Sequence, residues 1–157
     1  MRVLCLDVGD RRIGVAVSDP TGFLATGIGV IKRNGSPEET GLAIQQVMDY
    51  QAHYEAKLIV AGLPKNMDGT IGFQARKVLD FLEELKKHWN GEIINWDERL
   101  TTVSAHQVMA QKKTKINQRK QEVDKIAACF ILQGYLDSKE FKKRIELSKT
   151  DRSNGSK

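Results

Sequence analysis

The chain has 157 residues, of which 40% are hydrophobic and 29% are charged. This length suits one compact domain and excludes a large multidomain enzyme, and the hydrophobic content excludes a wholly disordered chain. The longest uninterrupted apolar run, Ile126 to Leu132, has seven residues, whereas a membrane-spanning helix needs about 20. We therefore expect no membrane association. Cys5 and Cys129 lie in apolar runs, which is typical of buried free thiols in a reducing compartment and favours a cytoplasmic location.

The first part of the chain predicts three strands in an antiparallel meander. Residues 2–8 form a short apolar run, residues 13–18 alternate large and small side chains, and residues 23–31 form a third strand. Turn signals at residues 9–12 and 19–22 separate these strands. Strands joined by such short turns must pair antiparallel.

The remainder of the chain predicts helices that alternate with buried strands. Ser36 and Pro37 are typical of a helix start. Periodicity then predicts a helix to about residue 53, a strand at 57–61, a helix from 71 to 85, a strand at 92–96, and helices at 101–110 and 122–137. Because residues 148–157 contain few apolar side chains, we predict one domain over residues 1–147 followed by a disordered basic tail.

This order of elements predicts an α/β fold with one mixed five-stranded sheet. The meander continues into right-handed crossovers, which place helices on both faces of the sheet. The first, fourth and fifth strands are then parallel to one another. In open α/β sheets, functional sites lie beyond the carboxyl ends of the parallel strands.

Carboxylates follow two of these strand ends. Asp7 lies at the end of the first strand, and Asp97 and Glu98 follow the fifth. Carboxylates gathered at one edge repel one another unless a cation lies between them, and Mg²⁺ prefers such oxygen ligands. Asp124, at the start of the last predicted helix, is a candidate third carboxylate. The residues alone leave open that Asp7 caps a turn, that Asp97 or Glu98 is simply exposed, and that Asp124 only offsets the helix dipole.

Basic residues are concentrated late in the chain, although the formal net charge is only +5. Residues 111–121 contain five basic residues and no acidic one, and residues 138–157 contain seven basic and three acidic residues. Clustered Lys and Arg favour a polyanionic partner, and the alternative is a solvated loop and a charged terminus. The candidate nucleic-acid-binding residues are Arg11, Arg12, Lys65, Asn66, Arg99, Lys112, Lys113, Lys115, Arg119 and Lys120.

Four segments, taken in chain order, resemble the motifs of a known family. Residues 7–19, 62–70 and 97–102, and residues 124–128 with 131–136, are similar to the motifs of the YqgF-type family. Its members are bacterial proteins described as pre-16S rRNA nucleases or as Holliday-junction-resolvase-like proteins. The resemblance spans residues 1–137.

The resemblance implies a ribonuclease H-like fold and a metal-dependent endonuclease. The implied substrate is structured nucleic acid, mainly the 5′ end of the precursor of the small-subunit rRNA, and the implied cofactor is Mg²⁺, with Mn²⁺ as an alternative. Carried over by position, Asp7, Glu98 and Asp124 match the family's acidic triad. Asp97 is the less secure ligand, because its side chain should point away from that of Glu98 if both residues are extended.

Several functional alternatives stay open at this point. The Asp-x-Gly opening after the first strand also occurs in nucleotide-dependent phosphotransferases of the actin and sugar-kinase type, which normally need a second similar domain. A nucleic-acid-binding factor without cleavage, acting in ribosome assembly or transcription, would need only the basic segments. A four-way DNA junction as substrate would favour a homodimer, whereas an rRNA end would allow a monomer.

Overall fold

The computed structural model describes residues 1–100 and 120–155, and it describes only the backbone of residues 120–124 and 152–155. In these ranges the strands are β1 (Val3–Val8), β2 (Arg12–Ser18), β3 (Ala25–Lys32), β4 (Leu58–Leu63) and β5 (Glu92–Asp97). The helices are α1 (Pro37–Tyr54), α2 (Phe73–Lys86), α3 (Lys120–Leu136) and α4 (Lys139–Gly155), and a 3-10 turn spans Glu98–Leu100. The helix predicted at 101–110 and the basic segment as far as residue 119 lie outside the described residues.

The five strands form one sheet in the order β3-β2-β1-β4-β5. The β1–β2 and β2–β3 pairs are antiparallel, and the β1–β4 and β4–β5 pairs are parallel. The predicted meander and the parallel set are therefore confirmed. β4 runs two residues further than the sequence predicted, because Gly62 and Leu63 still pair with Trp96 and Asp97 of β5.

Helices cover both faces of the sheet, as predicted. Alternation in β1 sends Leu4 and Leu6 into a core formed with α1 and α2, whereas Val3 and Cys5 pack with α3 and α4. α1 begins where the sequence indicated, since the Ser36 hydroxyl accepts a hydrogen bond from the Glu39 N–H at 3.2 Å. None of the described helices combines the length and apolar character that crossing a bilayer requires.

The contacts of α3 with β3 fix the direction in which this helix crosses the sheet. A Cβ on Gly27 would lie 2.9 Å from the Lys125 Cβ, and the Cys129 thiol donates to the Ala25 carbonyl at 3.3 Å. One turn later, the Gln133 amide donates to the Phe23 carbonyl at 3.0 Å. Successive turns of α3 thus move away from the edge at which β1 ends. The amino-terminal turns of α3 therefore lie toward that edge.

The carboxyl-terminal helix extends beyond the domain boundary that the sequence indicated. The sequence predicted a disordered tail from residue 148, and the structure describes α4 as a helix from Lys139 to Gly155. α4 is fixed to the domain near its start, because Phe141 is only 2% exposed and its ring centroid lies 5.2 Å from that of Tyr135. The Arg144 guanidinium also binds both carboxylate oxygens of Glu92, at 2.7 and 2.9 Å. Lys, Glu and Arg are good helix formers, so one aromatic anchor and this ion pair account for a helix with so few apolar residues.

We expect the Phe141→Ala variant to be destabilised by about 3–5 kcal/mol, because it removes a buried aromatic side chain. Urea denaturation followed by circular dichroism measures this change. Leu147→Ala is the matched control, since Leu147 lies on the same helix and is 60% exposed; its effect should stay within about 0.5 kcal/mol. Equal free energies of unfolding for the two variants would show that α4 does not contribute to the core.

Candidate active site

Asp7 lies next to the end of β1, on the sheet face that α3 covers. It follows Cys5 at a spacing of two, and Cys5 packs against α3 in the core on that face. Asp7 is half-buried. The strand thus presents a carboxylate beside an apolar layer.

Glu98 lies close to Asp7, although Asp7 lies near the end of β1 and Glu98 follows β5. It begins the 3-10 turn after β5 and follows Trp96, whose side chain packs on the same α3 face. Burial raises the pKa of Glu98 to about 7, and the negative charges of Asp7 and then Asp97 contribute to this rise. The two carboxylates are therefore close enough to repel each other.

Gly62 provides the space through which Glu98 reaches toward Asp7. It lies in β4, between β1 and β5, one residue beyond Ala61 in the strand pairing. A Cβ on Gly62 would lie 2.7 Å from Glu98 Oε1 and 2.7 Å from Ile131 Cδ1 of α3. The absent side chain thus allows both the carboxylate and the helix to approach the sheet. Gly62 is not among the predicted site residues, and its signal in the sequence is a glycine that ends a run of buried β-strand residues.

Asp97 points to the other face of the sheet and forms an ion pair with Arg99. It follows Ile93 at a spacing of four in β5, and Ile93 packs against the α1–α2 core. The Arg99 guanidinium binds the Asp97 carboxylate at 2.7 Å and holds its pKa below the usual value. Arg99 also donates to the Met67 carbonyl at 3.1 Å. Arg99 thereby ties the loop after β4 to the turn that carries Glu98.

Asp124 lies in the second turn of α3, and its side chain is outside the described part of the molecule. Asp124 precedes Ala128 by four residues and Ile131 by seven, so the three positions lie on one face of α3. Ala128 and Ile131 pack toward the sheet. Since the amino-terminal turns of α3 lie toward the edge where β1 ends, Asp124 is placed at the same edge as Asp7. Its role as a third ligand remains a prediction.

The predicted nucleic-acid-binding residues are distributed around this edge. Arg11 is exposed in the β1–β2 turn, Arg12 begins β2, and Lys65 lies in the loop after β4. Asn66 holds that loop closed, since its amide donates to the Thr70 hydroxyl at 3.0 Å. No side chain is described for Lys112, Lys113, Lys115, Arg119 or Lys120.

The donor set at this edge fits a hard divalent cation. Among the residues with described side chains, no group of three potential metal ligands occurs, and Asp7 and Glu98 supply two carboxylates. Mg²⁺ and Mn²⁺ are bound through a few carboxylate oxygens and retain waters. The raised pKa of Glu98 fits this chemistry, because a cation would remove the repulsion between the two carboxylates. Cys5 and Cys129 are buried in the core and are not joined in a disulfide, and they lie too deep to be part of an exposed site.

The raised pKa of Glu98 predicts a pH-dependent effect on stability. The ordinary pKa of Glu is near 4.5 and the folded value is about 7, so the folded state holds the proton to higher pH than the unfolded state. The contribution of Glu98 to stability is therefore greatest at low pH and is lost as the pH rises through about 7. With EDTA present, we expect Glu98→Gln to raise the Tm at pH 8 and to change it little at pH 5.

Thermal melts of the wild type and Glu98→Gln at both pH values measure this difference. Glu83→Gln is the control, because the Glu83 side chain is 70% exposed and its replacement should not alter the pH dependence. A Tm shift of the same size at both pH values would contradict the assignment of the raised pKa to Glu98.

Comparison with known proteins identifies the family. The family model RuvX, described as Holliday junction resolvase, matches residues 1–138. A protein of Clostridium tetani named "Putative pre-16S rRNA nuclease" is 53% identical over 138 residues, which cover 88% of this chain and 97% of that protein. A protein of the same name from Clostridium acetobutylicum is 51% identical, with coverage of 88% of this chain and 99% of that protein.

Solved structures confirm the fold class. The RuvC of T. thermophilus in complex with a Holliday junction substrate superposes with a TM-score of 0.57 at 12% identity, over 86% of this chain and 94% of that one. A second Thermus thermophilus RuvC structure gives a TM-score of 0.55 at 14% identity, over 86% and 95% of the two chains. RuvC has a ribonuclease H-like fold, as predicted here. The family model, together with relatives that share about half of their residues with this chain, shows that the chain belongs to the RuvX family. This is the YqgF-type family that its motifs resemble.

Proposed function

We propose that this protein is an endonuclease that hydrolyses phosphodiester bonds in structured nucleic acid, with the 5′ end of pre-16S rRNA as its main substrate. The names of the curated relatives support this substrate. The protein would then act in ribosome biogenesis, in the cytoplasm, as a monomer or a homodimer.

One observation carries the proposal: Asp7 and Glu98 lie near each other at the carboxyl edge of the parallel strands, on the face that α3 covers. The absence of a side chain at Gly62 leaves the space that the Glu98 carboxylate occupies, since a Cβ there would lie 2.7 Å from Glu98 Oε1. This arrangement lowers the stability of the fold, because burial and nearby negative charges both disfavour the ionised form of Glu98. Such a cost at a sheet edge is typical of a functional site rather than of a structural one.

The acidic residues have a common role in the proposed mechanism. Asp7, Glu98 and Asp124 would hold Mg²⁺, or Mn²⁺ in its place. A divalent metal held there would lower the pKa of the attacking water and would neutralise negative charge on the leaving 3′ oxygen. Arg99 keeps Asp97 paired and outside this set. Basic side chains at the same edge, among them Arg11 and Lys65, would bind flanking phosphates.

A four-way DNA junction is the second candidate substrate. The description of the matching family as a Holliday junction resolvase favours it. This activity would use the same carboxylates on the same sheet edge, so only the nucleic acid and the oligomeric state distinguish the two candidates.

A cleavage assay tests the proposal and separates these substrates. A precursor rRNA fragment that includes the 5′ end of 16S rRNA and a four-way DNA junction would each be incubated with the protein and Mg²⁺, Mn²⁺ or EDTA. We expect cleavage of the rRNA fragment that depends on the divalent cation. Preferred cleavage of the junction would favour the second candidate. Tight, salt-sensitive binding without cleavage of either would instead assign a binding factor, and ATP binding by calorimetry without RNA would assign a phosphotransferase.

A further inference from the structure

The carboxyl-terminal helix α4 lies outside the part of the chain that matches its family. The family model ends at residue 138, and α4 begins at Lys139. The relatives from Clostridium tetani and Clostridium acetobutylicum are matched over 97% and 99% of their own length, which leaves no segment long enough for a counterpart of this 17-residue helix. α4 is therefore an addition to the domain that carries the proposed active site.

One face of α4 packs against the domain at the edge opposite the acidic residues. Phe141 is 2% exposed, and Ile145 packs against the same core. The Arg144 guanidinium binds Glu92, the first residue of β5. A Cβ on Gly22, in the turn between β2 and β3, would lie 2.9 Å from the Phe141 ring. These contacts place α4 at the edge where the parallel strands begin.

The face of α4 that points away from the core is covered by lysines. Lys139, Lys142, Lys143 and Lys149 are exposed, and their spacings of three, four and seven residues place them on one face of the helix, here called the lysine face. Within the part of the molecule whose side chains are described, none of the four forms a salt bridge. Glu146 is the acidic residue on this face, so the positive charges predominate.

The position of these lysines is unfavourable for the helix by itself. Lys139, Lys142 and Lys143 lie in the first turns of α4, where the helix dipole disfavours positive charge. Lys142 and Lys143 also follow Lys139 at i+3 and i+4, spacings at which like charges destabilise a helix. Because an anion bound among these side chains would offset both effects, the lysine face fits an anionic ligand.

An extended polyanion fits the lysine face better than a membrane surface does. From Lys139 to Lys149 the lysines span about 15 Å of helix axis, since each residue adds about 1.5 Å. Successive phosphates of one strand are only about 3.4 Å apart along a double helix, so several of them fit this length. A helix that binds a membrane surface needs an exposed apolar face, whereas Phe141 and Ile145 of α4 pack against the domain.

We propose that the lysine face of α4 binds the phosphate backbone of nucleic acid at a distance from the cleavage site. This inference rests on the proposed nuclease function and adds a second contact to it. The six residues of β1 separate the two edges of the sheet by about 20 Å. The bound nucleic acid therefore continues for about six base pairs or more beyond the scissile bond. Such contacts hold the substrate without reading its sequence.

RNA binding at several salt concentrations, with EDTA present, tests this proposal without cleavage. The probe is a fluorescently labelled precursor rRNA fragment that includes the 5′ end of 16S rRNA, and fluorescence anisotropy gives its Kd. The quadruple variant Lys139→Gln, Lys142→Gln, Lys143→Gln, Lys149→Gln should bind at least about tenfold more weakly at about 0.1 M salt. The slope of log Kd against log salt concentration should fall by about three, because each lost phosphate contact removes about 0.7–0.9.

A second pair of neighbouring lysines provides the matched control. Lys86→Gln, Lys87→Gln is compared with Lys142→Gln, Lys143→Gln, because each pair lies on the surface of a helix and each change removes the same charge. Lys86 and Lys87 are ion-paired with glutamates of α2, so this control should bind RNA as the wild type does. Replacement of all four lysines of the lysine face by arginine keeps the charge and should preserve binding.

Thermal melts separate weaker binding from loss of structure. Gln is about as good a helix former as Lys, and the quadruple variant removes the repulsion among the lysines. Its Tm should therefore equal or exceed that of the wild type. If circular dichroism shows a loss of helix, Lys142→Gln, Lys143→Gln takes its place, with an expected fall in the salt slope of about 1.5.

Several results would overturn the proposal. They are wild-type affinity and salt slope in the quadruple variant, an equal loss in Lys86→Gln, Lys87→Gln, or lost binding in the arginine variant. Wild-type binding to vesicles that contain phosphatidylserine, lost in the quadruple variant while RNA binding is kept, would assign the lysine face to a membrane instead.

The outcome is separate from that of the nuclease proposal. Weaker RNA binding by the quadruple variant, without any cleavage by the wild type in Mg²⁺, would contradict only the nuclease function. Cleavage by the wild type in Mg²⁺, together with unchanged RNA binding by the quadruple variant, would contradict only the contact with α4.

Discussion

Asp7→Asn is expected to lower the rate of cleavage by about 10³-fold or more while leaving the fold intact. The amide has nearly the same shape as the carboxylate, but it removes a negative charge that would bind the divalent cation. Loss of that interaction removes several kcal/mol of transition-state stabilisation. Because Asp7 also raises the pKa of Glu98, removal of its charge should leave the variant at least as thermally stable as the wild type at pH 8.

Single-turnover cleavage of the rRNA fragment, with a thermal melt on the same preparation, measures both effects of Asp7→Asn. Asp49→Asn is the control, because Asp49 lies on the surface of α1, where its carboxylate accepts a hydrogen bond from the Gln45 amide. Undiminished Mg²⁺-dependent cleavage by Asp7→Asn would remove Asp7 from the active site.

Gly62→Ala is expected to reduce cleavage by about 100-fold with little loss of stability. The new Cβ would lie 2.7 Å from Glu98 Oε1 and from Ile131 Cδ1, so both must move. Each atom is the end of a flexible side chain. Replacement of glycine by alanine also lowers the backbone entropy of the unfolded state, which offsets part of the loss of stability. Displacement of a carboxylate by about 1 Å is enough for a large loss of rate.

Gly41→Ala provides the matched control for Gly62→Ala. Gly41 lies in α1, and a Cβ there would have no atom within 4 Å, so this variant should be slightly more stable and fully active. Cleavage rates and melting temperatures of the three proteins measure the difference. Wild-type cleavage by Gly62→Ala would mean that the position of the Glu98 carboxylate does not matter for the reaction.

Much of the architecture follows from periodicity in the sequence. Alternation in residues 13–18 and the short turns on either side determine an antiparallel meander, and the rule for parallel strands places Asp7 and Glu98 at one edge. Alternation of side chains along β5 likewise indicates that Asp97 points away from Glu98. These are local regularities, and the structure retains them.

Other features depend on contacts between distant segments, which no local pattern contains. The space that the Glu98 carboxylate occupies lies beside Gly62 of another strand, where a Cβ would also meet Ile131 of α3. The conformation of the loop after β4 depends on Arg99, which donates to the Met67 carbonyl. α4 was not predicted as a helix to residue 155, because residues 148–157 contain few apolar side chains, and its anchoring by Phe141 comes from tertiary packing.

Titration with Mn²⁺, followed by electron paramagnetic resonance, tests most directly whether three carboxylates bind one metal site. Asp7→Asn, Glu98→Gln and Asp124→Asn should each weaken Mn²⁺ binding at least about tenfold, because each removes a charged ligand. Asp97→Asn should bind as the wild type does, since the Asp97 carboxylate is paired with Arg99. Wild-type affinity in Asp124→Asn, or equal losses in Asp97→Asn and Glu98→Gln, would contradict the proposed site.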